Sequence, residues 1–303
     1  MKDFKGRTAV ITGAASGFGL EASRIAARRG MNVVMADVMA EPLAQAAAEI
    51  EALGAAVLPF RVDVSKAAEV EALGAAAKAR FGAPHIVFNN AGISCGGLIW
   101  EHSLKDWEWT VGVNLMGVAH GVRVFTPMML EAAASDPGYQ GHVINTASMA
   151  GMVNMPNMGA YNVTKHAVVS ISETLYQDLS LVTEQVHAHV LCPYFVPTGI
   201  ARSDRARPAE LQDAGATLTP SQRAAKLLGE KAVSSGRVSA ADVAQFVFDA
   251  IEANRFYVFS HPNAKALLPI QARLDDIVAL RNPSDPFKDR PELRQLLKDA
   301  LKG

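Results

Sequence analysis

The sequence is poor in cysteine: Cys95 and Cys192 are the only two among 303 residues. Two distant thiols form no disulfide framework, and a count this low is typical of a protein from a reducing compartment. Neither cysteine has His, Cys or Asp neighbours at a metal-ligand spacing along the chain. We therefore expect both thiols to be structural and expect no metal site.

Charge and long apolar runs are also scarce. Charged residues make up 19% of the chain and the net charge is −1, whereas soluble proteins average about 25% charged residues. The sequence has no concentrated basic segment of the kind that nucleic-acid binding requires. No run approaches about 18 uninterrupted apolar residues, and the start of the chain is too polar for a signal peptide. These absences predict a cytoplasmic protein that binds neither nucleic acids nor membranes.

What the chain does contain is a regular alternation of short apolar runs and helix-like segments. The apolar runs predict strands at 8–11, 32–36, 57–62, 85–88, 142–145, 188–191 and 256–259. The segments between them predict helices at 19–30, 41–53, 66–81, 107–133, 160–181 and 240–253. Because right-handed crossovers place helices on both faces of such a sheet, the pattern predicts an α/β protein with a doubly wound parallel sheet.

Two regions interrupt the alternation in what we expect to be a single domain spanning 1–303. Residues 199–236 carry no strand signal, and a long excursion of this kind in a compact domain is usually functional, often as a lid. The second region is a tail from 261 to 303, which is helix-like at 266–280 and broken by prolines at 283 and 286.

The first predicted strand runs directly into a glycine-rich turn that opens a helix. Glycines let the backbone turn tightly and approach a pyrophosphate, and the helix that follows directs its free N–H groups at the phosphates. The turn therefore predicts a dinucleotide site built from Gly13, Ser16, Gly17, Phe18 and Gly19.

Asp37 ends the second predicted strand, where a carboxylate accepts hydrogen bonds from the adenosine ribose. A carboxylate repels a 2′-phosphate there, so we expect NAD rather than NADP. Arg24 and Arg61 count against this preference if they lie near the ribose.

Ligands of open α/β sheets bind beyond the carboxyl ends of the strands, which adds further candidates from the third and fourth strands: Asp63, Val64, Asn90, Ala91 and Gly92.

A second group of polar residues suggests acid–base chemistry. Tyr161 and Lys165 are four residues apart in a predicted helix, so they share one face. A neighbouring cation favours phenolate, which makes Tyr161 a candidate acid or base. Ser148 follows a strand and is placed to hydrogen-bond a substrate oxygen as charge develops on it. Asn114 lies inside a predicted helix, where asparagine usually needs a partner.

Together these motifs resemble the short-chain dehydrogenase/reductase family in its compact form, in the right order from about residue 5 to about residue 260. The resemblance implies a Rossmann-type fold in which Tyr161 is the general acid or base and Lys165 lowers its pKa and binds the nicotinamide ribose. It also implies that Ser148 polarises the substrate carbonyl and that Asn114 holds a water that relays protons to Lys165. A homodimer or homotetramer is implied as well.

The family's loop after the next strand is matched at Pro193, Val196 and Thr198, and the resemblance implies that Thr198 holds the nicotinamide carboxamide. Tyr194 replaces a glycine of that loop. A large apolar pocket is predicted from Met149, Met155, Tyr194 and Phe195, because methionines and aromatic residues line adaptable binding surfaces. Core packing explains the methionines equally well.

These residues predict hydride transfer between a nicotinamide and a secondary alcohol or ketone, with a bulky, aromatic small molecule as substrate. The start of the chain and its helical tail are similar to bacterial dehydrogenases of lignin-derived benzylic alcohols. Two alternatives remain open: a ketone reductase that uses NADPH, and a weakly catalytic nicotinamide-binding protein such as a redox sensor.

Overall fold

The computed structural model describes residues 1–212, 215 and 217–302. Its centre is a seven-stranded sheet in the order β3-β2-β1-β4-β5-β6-β7, and every neighbouring pair is parallel. The strands are β1 Thr8–Thr12, β2 Asn32–Asp37, β3 Val57–Arg61, β4 Ile86–Asn89, β5 Gly141–Thr146, β6 Val186–Cys192 and β7 Tyr257–Phe259. The predicted doubly wound, Rossmann-type parallel sheet is confirmed.

Helices cover both faces of this sheet. They are α1 Gly17–Arg28, α2 Ala40–Ala52, α3 Ala67–Phe81, α4 Leu104–Val111, α5 Gly117–Ser135, α6 Gly159–Val182, α7 Pro220–Ser234, α8 Ala240–Ala253, α9 Ala264–Val278 and α10 Pro291–Ala300. Ala9 and Ile11 of β1 pack in one buried cluster with α1, α2 and α8, whereas Val10 packs in a second cluster with α3, α5 and α6. Alternate side chains of a strand point to opposite faces, so burial on both faces explains why these strands are continuous apolar runs.

The helix predicted over 107–133 is present but longer, and it is not a regular α-helix throughout. The segment begins earlier, at α4, where Ser103 and Asp106 form a reciprocal capping box. It then passes through a π-helical turn at Gly112–Met116 before α5. A Cβ on Gly117 would lie 2.7 Å from Val64 Cγ2, so the absence of a side chain lets the β3–α3 loop approach this turn. Single π turns in helices are frequently found at functional sites, and this one contains Asn114.

The 199–236 excursion, called the lid below, is helical in much of its described part. Two 3₁₀ turns, Gly199–Ala206 and Ala209–Leu211, precede α7. Residues 213, 214 and 216 of the lid, and 303 of the tail, lie outside the described residues. Sequence reasoning missed α7, although Thr219 and Gln222 form a capping box with Pro220 at the first helical position. Those are the signals that mark a helix start.

The tail forms α9 over Ala264–Val278, close to the helix predicted at 266–280, and then α10, which was not predicted. None of the described helices is both long and apolar enough to cross a bilayer.

Candidate active site

The predicted site residues gather at the carboxyl ends of the strands on both sides of the boundary between β1 and β4. These two strands are neighbours in the sheet although β2 and β3 separate them in sequence. The chain therefore leaves the sheet in opposite directions at this point, which is where open α/β sheets form their ligand crevice.

The glycine-rich turn leaves no room for side chains. A Cβ on Gly19 would lie 2.2 Å from the carbonyl oxygen of Gly13, and a Cβ on Gly13 would lie 3.0 Å from Ala91 Cα. Gly13 and Gly17 also have positive φ angles of 65° and 55°, which favour glycine. α1 begins at Gly17, and its N-cap residue Ser16 makes no side-chain capping hydrogen bond. The open cradle and the free N–H groups of this helix end fit a pyrophosphate.

Thr12 holds the turn against the end of β4. Its Oγ1 accepts hydrogen bonds from the backbone N–H groups of Asn90 at 2.9 Å and Ala91 at 3.1 Å. The side-chain amide of Asn90 donates to the carbonyl oxygen of Thr12 at 3.0 Å. Thr12 was not predicted as a site residue. The signal that was available is that threonine is the last residue of the first strand and precedes the glycines.

Asp37 lies at the end of β2 beside the turn. Its carboxylate accepts from the N–H groups of Ala15 at 3.1 Å and Met39 at 3.0 Å, so it braces the turn as well as facing the crevice. Of the two cations considered near it, Arg24 is held by Glu49 at 2.5 and 2.8 Å and by Glu21. Arg61 is exposed and is the register partner of Asp37 on β3.

The other strand-end candidates differ in what their side chains do. Asp63 Oδ1 accepts from the N–H and hydroxyl of Ser65 at 3.0 and 2.7 Å, which fixes the loop after β3. Val64 is buried against Gly117. A Cβ on Gly92 would lie 3.4 Å from Asn114 Oδ1 and 3.5 Å from Lys165 Nζ. Gly92 therefore keeps a space open between these two groups.

Tyr161, Lys165 and Ser148 lie close together. Ser148 is near enough to the Tyr161 phenol to lower its pKa, and Lys165 Nζ lies 5.6 Å from the centroid of the Tyr161 ring. Lys165 is almost fully buried and donates to the carbonyl oxygen of Thr146 at 2.9 Å. The N–H of Ala150 donates to Ser148 Oγ at 3.1 Å, which fixes the serine above the end of β5.

The electrostatics of this group differ from the expectation in one respect. Burial raises the pKa of Tyr161 above its usual value of 10, and Ser148 acts in the opposite direction. The sequence predicted that Lys165 lowers the pKa of this phenol, whereas the net shift is upward and is caused by burial. Burial also lowers the pKa of Lys165 to about 8, because removing a group from water disfavours its charged form.

Asn114 is fully buried in the π turn and is bound by the segment after β4. Its Oδ1 accepts from the N–H of Ile93 at 2.8 Å, and its Nδ2 donates to the carbonyl oxygen of Ile93 at 3.0 Å. The second Nδ2 hydrogen points towards Thr164 Oγ1 at 3.4 Å. Asn114 thus ties the β4 loop to α6, and one lone pair of Oδ1 remains for a further donor.

The loop after β6 closes the site on its far side. The carbonyl oxygen of Pro193 accepts from the N–H of Met149 at 3.0 Å and from Ser148 Oγ at 3.4 Å. Val196 is buried, and Thr198 Cγ2 lies 3.4 Å from the position a Cβ on Gly17 would take. These contacts join the loop to both the serine and the glycine-rich turn.

Tyr194, which stands where the family has glycine, is accommodated because its ring is 51% exposed. Its N–H donates to Ser260 Oγ at 2.8 Å, and its ring packs edge-on against Phe195 at 4.9 Å and His261 at 5.7 Å. Met149 is buried and Met155 half-buried. The predicted pocket residues therefore include one exposed aromatic ring and one methionine that packs in the core.

The lid is fastened to the β4–α4 loop through Ser221, which is 1% exposed. Ser221 Oγ accepts from the N–H of Leu98 at 3.0 Å and donates to Glu101 Oε2 at 2.5 Å. The carbonyl oxygen of Ser221 accepts from Asn157 Nδ2 at 3.0 Å, and the carbonyl oxygen of Asn157 accepts from the N–H of Gly97 at 3.0 Å. Sequence reasoning did not single out these residues, since each is an ordinary polar residue in a loop.

A cluster of possible metal ligands lies beside these contacts, contrary to the expectation that Cys95 has no such neighbours. Cys95 Sγ is 3.5 Å from His102 Nδ1, which is 3.9 Å from Asp106 Oδ2. Burial raises the pKa of the Cys95 thiol to about 11, and Arg207 of the lid is ion-paired with Asp106 Oδ1 at 2.7 Å. An uncharged thiol and a carboxylate already paired with arginine are poor metal ligands, so the cluster fits a structural contact between lid and loop.

Comparison with known proteins agrees with this geometry. A family model described as short chain dehydrogenase matches residues 7–209. A CLA biosynthesis dehydrogenase/reductase of Lactiplantibacillus plantarum is 35% identical over 271 residues, which cover 88% of this chain and 92% of that protein. A 1-deoxy-11-beta-hydroxypentalenate dehydrogenase of Streptomyces exfoliatus is 35% identical over 283 residues, which cover 92% of each.

Among solved structures, the chain is similar to a short-chain dehydrogenase/reductase of Burkholderia phymatum in complex with NAD. The two are 48% identical with a TM-score of 0.90, over 94% of this chain and 99% of that one. The matching family model, the relatives and the parallel sheet together show that the chain belongs to the short-chain dehydrogenase/reductase family of NAD(P)-binding oxidoreductases.

Proposed function

We propose that the chain is an NAD-dependent oxidoreductase that interconverts a secondary alcohol and a ketone. The observation that carries this proposal is the placement of Tyr161 beside Ser148 and the buried Lys165, at the edge of the sheet where the glycine-rich turn lies. A protein that only bound a nicotinamide would have no need of a phenol and a hydroxyl directed at one point.

In this proposal the residues of the site have different roles. When bound, NAD supplies the hydride acceptor of the oxidation and NADH the donor of the reduction. Tyr161 accepts the alcohol proton in oxidation and returns it in reduction, while Ser148 donates a hydrogen bond to the same oxygen. Lys165, held by the carbonyl oxygen of Thr146, supplies the positive charge that stabilises phenolate and hydrogen-bonds the ribose. The space left by Gly92 allows one water between Asn114 and Lys165 as the proton path.

The cofactor is proposed to be NAD rather than NADP because of Asp37. Each of its carboxylate oxygens accepts one backbone N–H, which leaves lone pairs for the ribose hydroxyls. Arg24 is neutralised by two glutamates, so it is not available to a 2′-phosphate. The cradle would then be formed by Gly13, Ser16, Gly17, Phe18 and Gly19, with Asp63, Val64, Asn90, Ala91 and Gly92 along its side and Pro193, Val196 and Thr198 at the nicotinamide end.

The substrate is proposed to be a bulky, aromatic alcohol. The exposed ring of Tyr194 with Phe195 gives an aromatic wall, and aromatic pairs favour edge-on and offset contacts with a further ring. Met155, half-buried on the opposite loop, offers an adaptable apolar surface.

The test is to compare Tyr161→Phe with a matched control, Tyr176→Phe, which removes an exposed phenol from the same helix α6. Reduced-nicotinamide absorbance is recorded with NAD and with NADP against aryl and aliphatic secondary alcohols, and cofactor binding is measured by calorimetry. Tyr161→Phe should lower kcat by at least about a hundredfold with little change in the Kd for NAD, and Tyr176→Phe should behave as the unmodified protein.

Three results would revise the proposal separately. Faster turnover with NADP would contradict the role of Asp37 while leaving the chemistry intact. A preference for small aliphatic alcohols would contradict the aromatic pocket. Equal turnover by Tyr161→Phe and the unmodified protein would contradict the acid–base assignment itself.

A further inference from the structure

The lid carries three arginines close together, and they have different partners. Arg207 pairs with Asp106 and lies 5.0 Å over the ring of Trp109, so it is a structural anchor. Arg202 and Arg205 are exposed, and no carboxylate of the described residues lies within ion-pair distance of either. Asp204, the direct neighbour of Arg205, is paired with Lys226 at 2.8 Å.

Arg205 packs against Gly199, at the start of the lid. Its Nη2, Cζ and Nη1 atoms are the three nearest atoms to the position that a Cβ on Gly199 would take, at 2.7, 3.5 and 3.8 Å. The guanidinium group therefore lies directly over the backbone of Gly199. A side chain at position 199 would clash with it, so this placement requires glycine there.

Gly199 in turn adjoins the cofactor cradle. It follows Thr198, whose Cγ2 lies 3.4 Å from the Cβ position of Gly17, and Gly17 is the first residue of α1. The guanidinium group of Arg205, which has no carboxylate partner among the described residues, thus lies beside the residue next to Thr198, and Thr198 approaches the glycine-rich turn. A guanidinium group keeps its charge at all relevant pH values and binds oxyanions through two parallel hydrogen bonds.

We infer that Arg205 is an anion-binding residue carried by the lid, which pairs with an oxyanion at the mouth of the site. Two anions fit that position: the pyrophosphate of the cofactor, and a carboxylate on the substrate. The inference rests on the proposed function for the identity of these ligands, and the two sources are separable by binding measurements that need no turnover.

The experiment compares Arg205→Gln with Arg202→Gln, which removes an equally exposed arginine from the same 3₁₀ segment. Calorimetry gives the Kd for NAD and for ADP-ribose in each variant at low and high salt. With saturating NAD in a Tyr161→Phe background, which prevents turnover, it also gives the Kd for 4-(1-hydroxyethyl)benzoate and for its methyl ester.

If the anion is the pyrophosphate, Arg205→Gln should weaken NAD and ADP-ribose alike by about tenfold and reduce the salt dependence of their binding. If the anion is a substrate carboxylate, the Kd for NAD should stay within about twofold. The affinity for the benzoate should then fall about tenfold, and the affinity for its methyl ester should not change. Arg202→Gln should change none of these values.

The inference is overturned if Arg205→Gln and Arg202→Gln give the same constants for all four ligands. A defect in Tyr161-dependent turnover with unchanged constants would also count against it, since that would place Arg205 outside ligand binding. Failure of the proposed chemistry would instead appear as no turnover in the unmodified protein while the binding constants remained measurable.

Discussion

At the scale of single residues, the least expected feature is a pair of buried histidines in the centre of the sheet. His142 on β5 and His189 on β6 are both fully buried, and His142 Nδ1 lies 2.9 Å from His189 Nε2. His189 Nδ1 lies 2.8 Å from the carbonyl oxygen of Arg255, so it must donate there. Burial favours the neutral form of both rings, in which Nε2 of His189 accepts from Nδ1 of His142 and Nε2 of His142 accepts from the Met1 ammonium at 3.4 Å.

This arrangement predicts that acid destabilises the fold. Burial lowers the pKa of His189 to about 4 and that of His142 well below 6.5, whereas unfolded histidine titrates near 6.5. The unfolded state therefore binds more protons below that value. The stability is fully present above about 6.5 and is lost progressively towards about 4, at up to about 1.4 kcal/mol per pH unit for each ring.

The measurement is the free energy of unfolding in urea at several pH values, for the unmodified protein and for His189→Gln. The variant should be less stable at neutral pH and should show a shallower fall between about pH 6.5 and 5, because one of the buried rings that gain a proton on unfolding is gone. His120→Gln, which removes a histidine from α5 outside this pair, serves as the control. An identical slope in all three proteins would show that the buried pair does not govern acid stability.

At the scale of helices and strands, glycine positions decide how closely the elements approach. Gly121 on α5 faces the end of β4, where a Cβ would lie 1.9 Å from Asn89 Oδ1. Asn89 donates to Asn145 Oδ1 at 2.9 Å, and Asn145 donates to Ser172 Oγ at 3.0 Å. This buried chain of polar groups joins β4, β5 and α6.

Gly121→Ala should therefore destabilise the protein by about 2–4 kcal/mol, because the methyl group displaces the Asn89 amide from a packed site. Gly229→Ala is the matched change on α7, where a Cβ meets nothing within 4 Å. It should stabilise the protein by about 0.5–1 kcal/mol, since alanine is the better helix former. Urea unfolding of both variants checks the signs, and equal effects would contradict the packing argument.

How far the sequence predicts these elements depends on the range of the interaction. The parallel strands were predictable because strands that are buried on both faces consist of short apolar runs. The shared helix face of Tyr161 and Lys165 was predictable because four residues make about one helical turn. The π turn around Asn114 was not predictable, because it depends on glycines that let a loop distant in sequence approach the helix. The pKa of Tyr161 was misjudged for a related reason: spacing reveals the nearby lysine, whereas burial is a property of the whole fold.

At the scale of the whole molecule, the described part of the lid is joined to the segments after β4 and β5 by hydrogen bonds and an ion pair that are at least partly buried. Ser221 connects α7 with Leu98, Glu101 and Asn157 at once. We propose that this junction sets the closed form of the substrate pocket. The Ser221 junction is separate from the glycine-rich turn, so in this proposal a change at Ser221 affects the substrate pocket rather than the cofactor cradle.

Ser221→Ala should raise the KM for the alcohol by about three- to tenfold while the Kd for NAD stays within about twofold, because the loss leaves the Leu98 N–H and the Glu101 carboxylate without this partner. Ser234→Ala removes an exposed hydroxyl from the last turn of the same helix α7 and should change neither constant. Steady-state kinetics and calorimetry separate the two effects. An equal loss of NAD affinity would contradict the division between cofactor and substrate contacts.

The separation of the lid from the strand ends has a practical consequence for protein engineering. The proposed catalytic tyrosine and lysine belong to α6 and the serine to the loop after β5, so the lid segment 199–236 contributes none of them. Grafting the corresponding segment from another family member, together with that member's residues at 194 and 195 and with Ser221 and Arg207 kept, should transfer that member's choice of alcohol to this chain. Random libraries confined to the lid would explore new substrates at little cost to the folding of the sheet.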